Sequence, residues 1–224
     1  MFITFNWMKY NNIKELIAYV DSNPEIKKDF ESIWFTADLH HGHDKIVDIM
    51  GRPCSHSMHE EWLVDIINSK VKKKDTLYLI GDISFARKPD AERFVDRLNG
   101  NKFLLLGNHD KSLEKSTRFV QITQIKDFSY SRFNLNIHIV LCHYPMASWN
   151  RRVHDSWHLH GHVHGRFENS GLSFDVGVDN PKDIIGFDGI KYYSLHKPLN
   201  LYEVAQIMAV KESQITPEQH EKNI

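Results

Sequence analysis

Three times before residue 111, a short apolar run that reads as a buried strand ends directly in a cluster of metal-type ligands. This recurrence constrains the fold more than any other feature. Ser32 to Ala37 leads into Asp38-Leu39-His40-His41-Gly42-His43, Thr76 to Ile80 into Gly81-Asp82, and Lys102 to Leu106 into Gly107-Asn108-His109-Asp110. Between them lie helical patterns. Met58, Trp62, Ile66 and Ile67 mark one helix; Pro89 to Asn99 marks another, with Phe94, Val95 and Leu98 inward and Gly100 as its stop. Alternating strands and helices predict a layered α/β domain, and open α/β sheets place their sites at the carboxyl ends of strands. The ligand loops are therefore expected to share one cleft.

The second half is richer in strands, with candidates at Phe119 to Ile125, Phe128 to Phe133, Ile137 to Cys142, Trp157 to His160, Ser173 to Val178 and Lys191 to Ser194. Leu201 to Val210 reads as a closing amphipathic helix. Near the start, Ile13, Leu16, Ile17 and Val20 give a leader helix that Asp21-Ser22-Asn23-Pro24 breaks. The organisation expected is a helical extension over 1–30 packed on the domain, one domain over 31–212, and a polar tail over 213–224.

Composition excludes several classes. With 224 residues, Lys plus Arg at 28 and Asp plus Glu at 29, the formal charge is -1, so no global basic field draws the chain to nucleic acid or an anionic membrane. Cys54 and Cys142 form neither a disulfide framework nor a thiolate zinc motif. A charged leader with an apolar core is lacking, and no apolar run approaches the ~20 residues of a spanning helix. A cytoplasmic protein without membrane insertion is expected.

Of 15 histidines, ten fall in four short places: 40, 41 and 43; 109; 143; and 154, 158, 160, 162 and 164. Asp38 and His40, like His162 and His164, are two apart, so in extended backbone each pair leaves the same face and can grip one ion. Asp82 offers two oxygens for bridging, Asn108 a neutral carbonyl and His143 an imidazole. These seven candidates exceed what one ion needs. Two divalent ions carry a formal +4 against -2 from the two aspartates, leaving about +2 for a hydroxide and a phosphate. Nitrogen and oxygen ligands without thiolate suit Mn, Fe, Zn, Co or Ni, with Mn or an Fe-containing pair favoured.

The ordered blocks Asp38-Leu39-His40, Gly81-Asp82, Gly107-Asn108-His109-Asp110, Cys142-His143-Tyr144-Pro145 and Gly161-His162-Val163-His164-Gly165 resemble the calcineurin-like metallophosphoesterase superfamily, particularly its small bacterial and phage-type members. The resemblance runs from about Ile33 to Val178. It implies an αββα sandwich of two mainly mixed sheets flanked by helices, with a dinuclear site at the strand carboxyl ends. By that likeness Asp38, His40, Asp82 and His164 match the ligands of the first metal. Asp82, Asn108, His143 and His162 match those of the second. His109 matches the histidine that protonates the leaving oxygen or stabilises phosphoryl charge. The reaction implied is attack of a metal-bound hydroxide on phosphorus.

Departures narrow the class. Protein Ser/Thr phosphatases of the superfamily carry an acidic residue and an arginine where this chain has Phe85 and Ala86. A small phosphate ester, with a phosphodiester favoured and a nucleotide or cyclic nucleotide within range, is the expected substrate. The alternatives are a nuclease acting on DNA or RNA and a non-catalytic binding protein on the same fold. Arg52 and Arg151 stand as candidate phosphate contacts beside a structural reading of each. Trp149 is open to base stacking or packing, Asn68 to supporting the site. His41, His43, His158 and His160 read as orienting or surface residues rather than ligands.

Overall fold

The structure, a computed structural model, describes residues 10–43 and 45–215. Asn12 caps helix α1 (Ile13–Asp21), its side chain accepting the Glu15 amide at 2.9 Å, and Ile13, Leu16, Ile17 and Val20 are buried. Pro24 does more than end that helix: it opens α2 (Pro24–Phe30), because its fixed φ suits a first helical position. The leader is thus two helices. Then follow β1 (Ile33–Thr36), α3 (Ile46–Met50), α4 (His59–Asn68), β2 (Thr76–Ile80), α5 (Lys88–Arg97), β3 (Asn101–Leu105) and β4 (Gln121–Thr123). The remainder is β5 (Ile125–Tyr130), β6 (Ile137–Cys142), β7 (Trp157–His160), β8 (Ser173–Asp175), β9 (Asp183–Ile185), β10 (Lys191–Tyr193), β11 (Leu199–Asn200) and α6 (Leu201–Ser213).

The fold is mixed α/β, and both principal sheets are mixed. One has the order β11-β1-β2-β3-β4, parallel except where β11 pairs antiparallel with β1. The other has the order β5-β6-β7-β8, parallel except for the β5–β6 pair. Strands β9 and β10 form a separate hairpin. The apolar run from Phe119 to Ile125, expected as one strand, is divided between the sheets: β4 ends at Thr123 and β5 begins at Ile125. Helix α6 continues past Val210 to Ser213, and the rest of the expected tail, 216–224, lies outside the described residues, as do residues 1–9.

Alternation along the strands sets two cores. Trp34, Leu77, Leu79 and Leu104 pack with Leu63 and Ile67 of α4 and with Phe94 and Val95 of α5. Phe35, Tyr78, Ile80 and Leu105, one residue out of phase, share a core with Ile139, Leu141, Trp157 and Leu159 of the second sheet and with α1, α2 and α6. A parallel bridge between Ala37 and Gly177 ties the sheets where β1 and β8 end. The loops after β1, β2, β3, β6 and β7 consequently leave their sheets at the same end.

Candidate metal centre

Three of those loops, after β1, β2 and β7, are shaped by unusual backbone at the ligand residues. Among the ten described non-glycine residues with positive φ are Asp38 (59°), His40 (53°), Asp82 (54°), His162 (72°) and His164 (49°), five of the seven expected ligands. Left-handed backbone is costly for residues with a Cβ and persists only where surroundings enforce it. Here the enforcement is a ladder of loop-to-loop bonds. The amides of Asp38, His40 and His41 donate to the carbonyls of Gly81, Asp82 and Ile83 at 2.9–3.0 Å, and the Gly161 amide donates to the His143 carbonyl at 3.1 Å.

The side chains converge in two groups, Asp38 with His40 and His164, and Asp82 with His143 and His162; within each, one ligand atom per residue lies within 4.8 Å of the others. Asp82 is the pivot. Its Oδ2 has His143 Nε2 at 3.4 Å, His40 Nε2 at 3.8 Å and His109 Nε2 at 3.9 Å, while its Oδ1 accepts the His109 amide at 3.0 Å. Asn108 is exposed beside this pivot, between His109 and Gly107. A Cβ on Gly107 would sit 2.3 Å from Asp82 Oδ1, and one on Gly161 would sit 2.6 Å from Asp38 Oδ2, so both positions require the absence of a side chain.

Electrostatics fit a cation. Both ring nitrogens of His40 and Nε2 of His143 are buried without a hydrogen-bond partner, at a cost of about 1–3 kcal/mol per atom; in the neutral His40 ring one of the two nitrogens carries a lone pair that a cation would complete. Burial, with the neighbouring Asp175 carboxylate, raises the pKa of Asp38, and burial lowers that of His40 to about 3. For Asp82 burial works upward, yet the adjoining His143 ring and the His109 amide prevail and bring it to about 2. The same pair raises His143 to about 9 against its burial. Carboxylates facing imidazoles form a site that a divalent cation can occupy by displacing the proton that His143 holds toward Asp82.

Supporting contacts fix the ligands. His143 Nδ1 donates to the Ile80 carbonyl at 2.9 Å and His164 Nδ1 meets Asp179 Oδ2 at 2.9 Å, which in the neutral ring leaves each Nε2 its lone pair. The His162 amide donates to both Asp38 oxygens at 3.0–3.1 Å. Asp110, which sequence reasoning left without a role, accepts from the amides of Asp82, Ile83 and Gly107 at 2.7–2.9 Å and locks two ligand loops together. Asp175 does the same for Gly165 and Gly177. Asp175 follows the strand-then-carboxylate pattern too, since β8 ends on it, but reading the strand through to Val178 hid it.

Other expected residues fall elsewhere. The reading of Arg52 as a phosphate contact is corrected: its side chain is wholly buried, gripping Asp179 through Nε and Nη2 and donating to the carbonyls of Asp38 and Leu39 and to His59 Nε2, so all five N–H donors are engaged and none is left for a substrate. Arg151 is exposed and lines a small cavity with Tyr10, His138 and Asp155 that contains none of the seven ligands. Trp149 is buried and bonded to the Ser156 carbonyl; Asn68 ties α4 to Arg97 and Asn99. His41 stacks on Phe94 and bonds Ser84 and Glu60. His158 bonds the Val140 carbonyl and the Met146 amide, His160 the Gly161 carbonyl, and burial lowers both rings to about 4. His43 lies edge-on to Phe85.

No protein-family model matches the chain. The Gene 66 protein of Mycobacterium phage D29 is 25% identical over 189 residues, 71% of this chain and 94% of the phage protein. Uncharacterized protein MJ1445 of Methanocaldococcus jannaschii is 29% identical over 135 residues, 59% of this chain and 69% of that one. A crystal structure from Aquifex aeolicus, AQ665, described as a protein of unknown function, superposes with a TM-score of 0.55 at 22% identity, covering 78% of this chain and 98% of its own. That likeness is one of fold. No helix among the described residues is long and apolar enough to cross a membrane.

Proposed function

We propose that the chain is a cytoplasmic, dinuclear metal-dependent phosphoesterase of the calcineurin-like superfamily, acting on a small phosphodiester. The observation that carries this reading is the pair of ligand groups meeting at Asp82, with orphaned imidazole nitrogens beside it. Asp38, His40, Asp82 and His164 would hold one ion; Asp82, Asn108, His143 and His162 would hold the other. Two divalent cations there would neutralise phosphoryl charge and activate water.

The chain's own residues supply the rest. His109, with 39% of its side chain exposed, sits at the open rim with Nε2 turned toward the pivot, where it can give a proton to the leaving oxygen. Asp110, Asp175, Asp179 and Arg52 are spent on holding loops and rings in place, which preorganises the ligands before substrate arrives. Mn or an Fe-containing pair remains the favoured metal.

The test is hydrolysis of an aryl phosphodiester and its matching monoester by protein stripped with chelator and reloaded with Mn. Metal-dependent turnover with the diester ahead supports the reading. Turnover of neither ester by protein carrying two ions would favour a binding role, and degradation of single-stranded DNA or RNA with steep salt dependence would favour the nuclease.

A further inference from the structure

Beside the pivot lies a half-open cleft of about 430 Å³ formed where β3 and β6 end and β5 begins. Its walls include Asn108, Lys111, Glu114, Gln124, Ile125 and Tyr144. The size suits a small organic group. Asn108, an expected ligand, is part of its lining, so a molecule seated in the cleft would reach the place where phosphorus would react.

The surfaces within it are of two kinds. The Tyr144 ring packs edge-on against the rings of His143 and His162, with centroids 5.0 and 4.8 Å apart and interplanar angles of 71° and 67°. It is thereby fixed to the metal centre, yet remains 43% exposed, and Ile125 is 52% exposed. A fixed aromatic ring and a branched aliphatic side chain left uncovered together form a platform for a flat ring. Around it stand a Lys111 ammonium, the Glu114 carboxylate and the Gln124 amide, which offer both donors and acceptors to the edge of such a ring.

We infer that this cleft binds the nucleobase of a nucleotide phosphodiester, stacked on Tyr144 against Ile125, while the phosphoryl group lies at the metal centre. The assignment rests on the phosphoesterase reading only for the phosphoryl end. An alkyl or bare sugar ester would meet the polar groups but leave the ring surfaces wet. Stacking on an aromatic side chain supplies affinity that such esters lack.

The test compares AMP with ribose 5-phosphate, which differ only by the base, and with inorganic phosphate, by calorimetric titration of the Mn-loaded full chain. AMP is expected to bind at least about tenfold tighter than ribose 5-phosphate. Tyr144→Ala should shrink that gap to below about twofold, Tyr144→Phe should keep it, and inorganic phosphate should bind the unaltered protein, Tyr144→Phe and Ile125→Ala alike. Ile125→Ala, away from the ligand loops, should narrow the gap even if Tyr144→Ala folds poorly. Equal affinity for AMP and ribose 5-phosphate in the unaltered protein overturns the inference, as does a gap that survives both alanine changes or failure of all three phosphates to bind. Hydrolysis of an aryl phosphodiester with no preference for a nucleotide phosphodiester over it would sink the cleft assignment alone. Base-dependent binding without hydrolysis would sink the phosphoesterase reading and leave the cleft.

Discussion

The ring of Phe85 lies 4.0 Å from that of His109, centroid to centroid, at an interplanar angle of 25°. On the proposed superfamily reading, Phe85 occupies the place where protein phosphatases carry an acidic residue. Asp110 does not take over that duty, because its carboxylate is engaged by three backbone amides. His109 is held by stacking, by its own amide on Asp82 Oδ1 and by the Asp82 carboxylate, whose Oδ2 lies 3.9 Å from its Nε2. Phe85→Leu should therefore lower kcat by about tenfold at unchanged KM, part of the 10²–10⁴-fold that acid–base groups supply, with Phe85→Tyr retaining activity. Steady-state kinetics of the three proteins check this; equal kcat in Phe85→Leu would show that the stack is passive.

Gly107 lies against the pivot carboxylate, and its missing side chain leaves the space that Asp82 Oδ1 fills. Gly107→Ala should displace that carboxylate and weaken metal binding more than about tenfold while the chain stays folded. Metal titration alongside circular dichroism reads both quantities. Unchanged affinity would mean that the loop shifts freely, against the ladder of bonds that ties it.

Arg52 and Asp179 form a buried ion pair at 2.7 Å, and Asp179 in turn holds His164. Removing the guanidinium leaves a buried carboxylate without its partner, which costs about 3–5 kcal/mol. For a domain of this size that corresponds to a Tm lower by roughly 10 °C in Arg52→Met. A loss of affinity at the His164 side should accompany it. A thermal scan showing an unaltered Tm would mean that the buried pair contributes nothing to holding the fold.

His158 and His160 are buried neutral, with pKa values lowered to about 4 by burial. Unfolded, each takes up a proton near pH 6.5, so between about pH 6.5 and 4 the unfolded chain binds more protons than the folded one. Their contribution is present above pH 6.5 and is lost as pH falls through 4, with a slope approaching about 1.4 kcal/mol per pH unit for each ring. Their ring NMR signals should remain at the neutral position at pH 5.5. Signals halfway through titration at that pH would place the rings in contact with water.

The parts of the fold that were legible were those where one face or both are apolar over a whole element. β2, β6 and β7 match the apolar runs residue for residue. α2 was not legible because only Ile26 and Phe30 of its seven residues are buried, too few to show a helical period. β11 is two residues long and exists by pairing with β1, residues 164 and 166 positions away. The ligands could be read because each loop's own cluster is local and follows a strand. Their supports could not: Arg52 meets Asp179 across 127 positions, and nothing in the neighbourhood of either residue announces the other. The same separation explains why Arg52 read as a candidate phosphate contact.

The central claim is that Asp82 joins two metal positions, and the most direct measurement is metal content per chain in unaltered protein and in Asp82→Asn. After chelation, reloading with Mn and desalting, the unaltered chain should retain two ions and Asp82→Asn fewer than one, with ester hydrolysis lost in parallel. Two ions and full turnover retained by Asp82→Asn would contradict the account.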